Sequence, residues 1–142
     1  MNRFETRGYG AAAAVIDLSS GLMWTRSAAP AQFPLTWSEA LAFIREMNSQ
    51  GFAGHRDWHL PNRNELASLI SYAHINPCLP QGHPFHDVFS GYYWTSTTCR
   101  RLPDQAWYVH MGGARIHRGM KHGSCMVWPV RQSHTAPPHP VL

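Results

Sequence analysis

Residues 106–123 read AWYVHMGGARIHRGMKHG, and the paired glycines at their centre decide how the late part of the chain folds. Gly112 and Gly113 separate two segments that alternate apolar and polar residues, the pattern of antiparallel strands joined by a tight turn. A two-residue type I′ turn needs positive φ at both central positions, which glycine adopts without steric cost. Pairing outward from that turn sets Met111 opposite Ala114, His110 opposite Arg115, Val109 opposite Ile116, Tyr108 opposite His117 and Trp107 opposite Arg118. Side chains alternate across a strand, so Trp107, Val109, Met111, Ala114 and Ile116 are expected on a buried face. Tyr108, His110, Arg115 and His117 fall on the other face, where burying them unpaired would cost too much. That face is the expected ligand-binding surface, and Arg118, Lys121, Arg100 and Arg101 lie near it in the chain.

Further strands are expected at YYWTSTT (92–98) and CMVWPVR (125–131), and GAAAAVIDLSSGLMW (10–24) reads as two short strands around a Ser19-Ser20-Gly21 turn. In TWSEALAFIREMNSQG (36–51), Thr36 and Glu39 have the spacing of a capping box, and Gly51 supplies a C-terminal stop. Trp37, Ala40, Leu41, Ile44 and Met47 follow the helical period. LPNRNELASLISY (60–72) repeats the device with Asn62 and Glu65, and Leu66, Leu69, Ile70 and Ala73 form its expected buried stripe. The proline-rich stretch from His74 to Gly91 reads as a surface loop, and residues 132–142 as a flexible tail after a single domain spanning 1–131.

A chain of 142 residues suits one domain, and 12% aromatic residues with only 14% charged ones describe a globular protein rather than a disordered one. The +4 charge is unevenly placed: residues 1–99 carry six arginines against seven carboxylates, whereas residues 100–142 carry six basic residues against Asp104 alone. A basic C-terminal part favours anionic partners. Cys78, Cys99 and Cys125 have no CxxC spacing and read as three buried free thiols. The run AAAAVI (11–16) is too short for a secretory signal, and nothing approaches a membrane span. Taken as written, the chain starts in the cytoplasm.

His83, His86 and Asp87 are a weak metal pattern, better read as surface residues of a turn. No nucleophile elbow or phosphate-binding glycine loop is present, and Cys125 beside His122 opens an apolar strand, which favours a structural thiol. Two of the eight acids, Glu39 and Glu65, are spent on helix caps. No catalytic residue and no cofactor are expected. Tyr108, with Tyr92 or Tyr93, could stack on nucleic-acid bases, but the Tyr, His and Arg set suits sugars equally well. The tryptophans are expected mostly in the core.

In order, SSGLMW, TWSEALAFIREMN, GFAGHRDWHLPNRNELASLI, YYWTSTT, AWYVHMGGARIHRGMKH and VWPVR resemble the Lcl C-terminal domain family of bacterial collagen-like adhesins over about residues 9–131. The resemblance implies an α+β, C-type lectin-like fold: two helices packed on small antiparallel sheets with long loops. It implies a non-catalytic module that binds an anionic glycan, such as a sulfated glycosaminoglycan, or another surface receptor, and that assembles as a homo-oligomer, a trimer first. It places such modules outside the cell, on a virion or at a cell surface. A structural or receptor-binding subunit of a virion or filament, of the diversified phage and retroelement kind, is the alternative. Formylglycine-generating oxidases share the fold, yet Cys99 and Cys125 do not obviously make the redox-active arrangement or copper site they need. No Glu-Pro-Asn or Gln-Pro-Asp triplet occurs, so a calcium-bridged sugar site is not expected.

Overall fold

The computed structural model describes residues 2–133. It is an α+β arrangement of two helices and two small antiparallel sheets. The first sheet joins β1 (Phe4–Arg7), β2 (Ala14–Asp17), β3 (Leu22–Thr25) and β7 (Val130–Gln132), in that order. The second joins β4 (Tyr92–Thr98), β5 (Gln105–His110) and β6 (Arg115–Met120). Between them in sequence come α1 (Trp37–Gln50) and α2 (Arg63–Ala67).

Both helices start where their capping boxes place them. Thr36 Oγ1 accepts from the Glu39 N–H while the Glu39 carboxylate accepts from the Thr36 N–H; Asn62 and Glu65 do the same for α2. Gly51 closes α1 in the left-handed region at φ 70°. The second helix ends earlier than its sequence period suggests. Ser68 Oγ donates to the Glu65 carbonyl, and the Ser68 carbonyl accepts from Arg3 at 2.7 Å instead of continuing the helical ladder. Leu66 and Leu69 are therefore buried as expected, but Ala73, beyond the helix, is exposed.

The inner strands of both sheets feed two apolar clusters, while β1 and β6 are largely exposed. Tyr93 and Val109 join Val15, Trp24, Leu66, Leu69 and Trp128 in one apolar cluster. Trp94 and Ala106 join Ala40, Ile44 and Met47 of α1, with Trp58 and Val127, in the other. Trp24, Trp58, Trp94 and Trp128 are buried, so four of the tryptophans supply core area as expected. The three cysteines are free and buried.

Residues 125–131 form not one strand but an extended stitch. Cys125 exchanges two backbone hydrogen bonds with Leu35, and Met126 bonds to Tyr92 and Trp94 of β4. Val130 bonds to His59, and only then does β7 pair with β3. The anticipated tail begins inside β7, which includes Gln132; residues 134–142 lie outside the described residues. Asp17, fully buried, accepts two 2.8 Å bonds from the Arg3 guanidinium and further bonds from the Ser19 N–H and hydroxyl. Burial opposes its ionisation, but these donors outweigh burial and hold its carboxyl below the usual carboxylate range.

Candidate functional site

The hairpin of β5 and β6 has the register expected from the sequence: His110 pairs with Arg115, Val109 with Ile116, Tyr108 with His117 and Trp107 with Arg118. Its turn does not follow the expectation. Gly112 and Gly113 are not in the left-handed region; Ala114 is, at φ 62°. Residues 111–114 form a four-residue loop closed by a 2.8 Å bond from the Ala114 N–H to the His110 carbonyl. The His110 ring folds back over this loop, and its Nδ1 accepts from the Gly112 and Gly113 N–H groups, both at 3.1 Å. Two backbone donors on Nδ1 require that nitrogen to be unprotonated and place the ring proton on Nε2. His110 therefore caps the turn and is half-buried rather than freely displayed.

The two faces of the second sheet carry different surfaces. On one, Tyr92 and Tyr108 pack with ring centroids 4.6 Å apart, His110 meets Tyr92 edge-on at 4.7 Å, and His117 lies 6.1 Å from Tyr92 and 6.4 Å from Tyr108. Tyr108 lies across Gly119, where a Cβ would sit 2.4 Å from its ring. Burial, with the neighbouring Cys125 and Tyr92, pushes its phenol pKa up. Arg115 and His117 are exposed on this face as expected. At the far end of β6, Lys121 Nζ stands 4.0 Å over the Trp37 ring, beside the start of α1.

The opposite face corrects the expected sorting. Ile116 is 37% exposed, because β6 is an edge strand with nothing packed outside it among the described residues. Trp107 is half-buried and forms the wall of a groove of about 640 Å³. The Arg63 guanidinium lies 4.7 Å from the Trp107 ring centroid and that of Arg118 lies 6.0 Å from it. Arg100 and Arg101, exposed in the β4–β5 loop, and Thr97 and Thr98 complete the groove beside Cys99 and Leu102. The α2 cap and a 2.9 Å bond from the Arg63 N–H to Thr97 Oγ1 fix the Arg63 backbone here. No carboxylate lines the groove, and none of its four arginines forms an ion pair among the described residues.

The eight expected site residues thus divide. Arg100, Arg101 and Arg118 meet around Trp107; Tyr108, His110, Arg115 and His117 share the aromatic face; Lys121 stands apart on Trp37. Sequence reasoning passed over Trp107 and Arg63. The register itself held the signal for Trp107, since it sets an arginine directly opposite that indole. Arg63 carried none, because its place depends on how α2 docks. Of His83, His86 and Asp87, the His83 ring stacks on Phe85 while His86 and Asp87 line another cavity, and no three His, Cys, Asp or Glu side chains gather as a metal site among the described residues.

The sequence model of the Lcl C-terminal domain matches residues 13–131. No curated protein matches the chain.

Proposed function

Because the chain belongs to the Lcl C-terminal domain family, we propose that it is a non-catalytic, adhesin-like binding module of C-type lectin-like fold that holds an anionic glycan, sulfated or acidic. The observation that carries this reading is the groove around Trp107, lined by four arginines, two of them over the indole, without a carboxylate among the lining residues. Guanidinium groups are planar forks that match sulfate and carboxylate oxygens two at a time. The indole offers an apolar face for the C–H side of a pyranose ring, and Thr97 and Thr98 offer hydroxyls to its ring substituents. Arg115 and His117 on the other side of β6 would lengthen the basic track for a polymer that reaches over the edge. The assembled form is proposed to be a trimer.

Retention on immobilised heparin tests this. The double variant R63S/R118S should elute at lower salt and bind a sulfated oligosaccharide about tenfold more weakly, since each exposed charge contact contributes up to about 1 kcal/mol. Arg63→Lys with Arg118→Lys should restore only part of the loss, because lysine keeps the charge without the fork. Unchanged elution of the serine variant would refute the groove as the glycan site.

A further inference from the structure

A second cavity, of about 600 Å³, lies between the outer flank of α1 and the loops at 26–32 and 84–87, and shares no residue with the Trp107 groove. Its apolar wall is Phe43, Met47 and Phe52, with Met47 buried. Charges of both signs line it: Arg26 and Asp87 on the two bonded loops, and Glu46 on α1.

The loops that build the cavity are tied together before any ligand arrives. The His86 N–H donates to the Arg26 carbonyl at 2.9 Å and the Ala28 N–H to the His86 carbonyl at 2.8 Å. Arg26 Nε donates to the Pro84 carbonyl at 2.9 Å, which fixes the guanidinium and leaves its terminal nitrogens without a partner among the described residues. The Ser27 hydroxyl donates to one Asp87 oxygen at 3.2 Å. Two lining residues, Gln32 at φ 71° and Asp87 at φ 58°, hold the left-handed conformation, which costs a residue other than glycine about 1 kcal/mol or more. Strain of that kind persists only where surrounding contacts fix it, and it gathers at ligand clamps.

The arrangement of charge singles the cavity out. An exposed ion pair contributes no more than about 1 kcal/mol, so charges of both signs at one cavity can stay unpaired and open to a ligand. Here Arg26 forms no ion pair with Glu46 or Asp87 among the described residues, and both carboxylates retain an oxygen that no protein donor takes. A molecule placed between them can satisfy both signs at once. We propose that this cavity binds a small zwitterion with an apolar body, of the amino-acid or short-peptide type. Its carboxylate meets Arg26, its ammonium meets Asp87 and Glu46, and its body lies on Phe43, Met47 and Phe52. A free amino acid and a dipeptide share this chemistry and differ in how far apart they hold the two charges.

Nuclear magnetic resonance titration of the isotope-labelled full chain tests the proposal. The probes are L-leucine, leucyl-leucine, and leucyl-leucine blocked by N-acetylation or by C-amidation. At least one of the two zwitterions should shift the amides of Ser27, Gln32 and Gln50, and blocking either end of the dipeptide should weaken its binding about tenfold. Tighter binding of the dipeptide assigns the site to peptides; tighter binding of leucine assigns it to free amino acids. Glu46→Gln, an exposed change on the flank of α1 that leaves the fold untouched, should weaken the preferred zwitterion several-fold, as should Arg26→Gln. Absence of shifts with both zwitterions at millimolar concentration, or equal binding of the blocked and unblocked dipeptides, would overturn the proposal.

Discussion

Ala114 holds the one strained backbone position of the β5–β6 turn, and the two glycines beside it serve a different need. Gly112 is required by its surroundings, since a Cβ there would stand 2.8 Å from the His110 ring and 2.9 Å from the Asn76 side-chain oxygen. Gly112→Ala should therefore destabilise the fold by about 1–3 kcal/mol, through the cost of forcing atoms into filled space. Ala114→Gly should do the reverse and raise stability by about 0.5–1 kcal/mol, because glycine relieves the left-handed strain and the extra freedom of its unfolded chain recovers only part of that gain. Urea unfolding of both variants checks the signs; a stabilising G112A or a destabilising A114G would contradict this account of the turn. The sequence showed a turn at the diglycine and set the strand register correctly. Its dihedral pattern was hidden because glycine marks two things, permitted φ and missing bulk, and only tertiary neighbours tell which one is in use.

Single elements show where local pattern prevails and where docking overrides it. The capping boxes fixed both helix starts, since their partners lie three residues apart and need no knowledge of the rest of the molecule. The end of α2 was not legible, because it depends on Arg3, sixty-five residues away, reaching the Ser68 carbonyl. Glu65 carries a second load: His59 Nε2 lies 3.1 Å from each of its carboxylate oxygens, and the backbone of His59 is bonded to Val130. The Glu65 bond raises the His59 pKa against the opposing effect of burial. For Glu65, burial works against ionisation, but the His59 and Asn62 bonds outweigh it and lower its pKa. The raised histidine stabilises the fold fully below its ordinary value of 6.5 and ceases to do so as pH rises through its folded value. The lowered carboxylate stabilises it above 4.5 and ceases to do so as pH falls through its folded value. His59→Gln should accordingly cost most between those values, about 0.5–1 kcal/mol given the solvent around the ring, and little at about pH 8.5. Denaturation curves of the two proteins that stay equally far apart at both pH values would remove this pair from the account.

At the scale of the whole molecule, the groove brings together residues from the start of α2, the end of β4, the β4–β5 loop and both strands of the hairpin. Its basic character was legible, because Arg100, Arg101 and Arg118 lie in the charge-rich C-terminal part of the chain. Its location on the face opposite Tyr108 was not, because Trp107 was assigned to the core on the strength of alternation alone, and alternation does not tell whether a helix covers the whole of a strand. The two sheets are joined by residues 125–132, which bond to Leu35, β4, His59 and β3 in turn. A chain cut after Ser124 should lose cooperative thermal unfolding, as it forfeits Trp128, Val127 and the strand that completes the first sheet. A sharp transition in that fragment would mean the stitch is dispensable. The first three strands of the first sheet leave the ribosome about a hundred residues before the fourth. During that interval the hydrogen-bonding edge of β3 stays open, and Trp24 waits for the Trp128 ring that packs against it, so an unpaired strand edge is on offer until the last of the stitch is made.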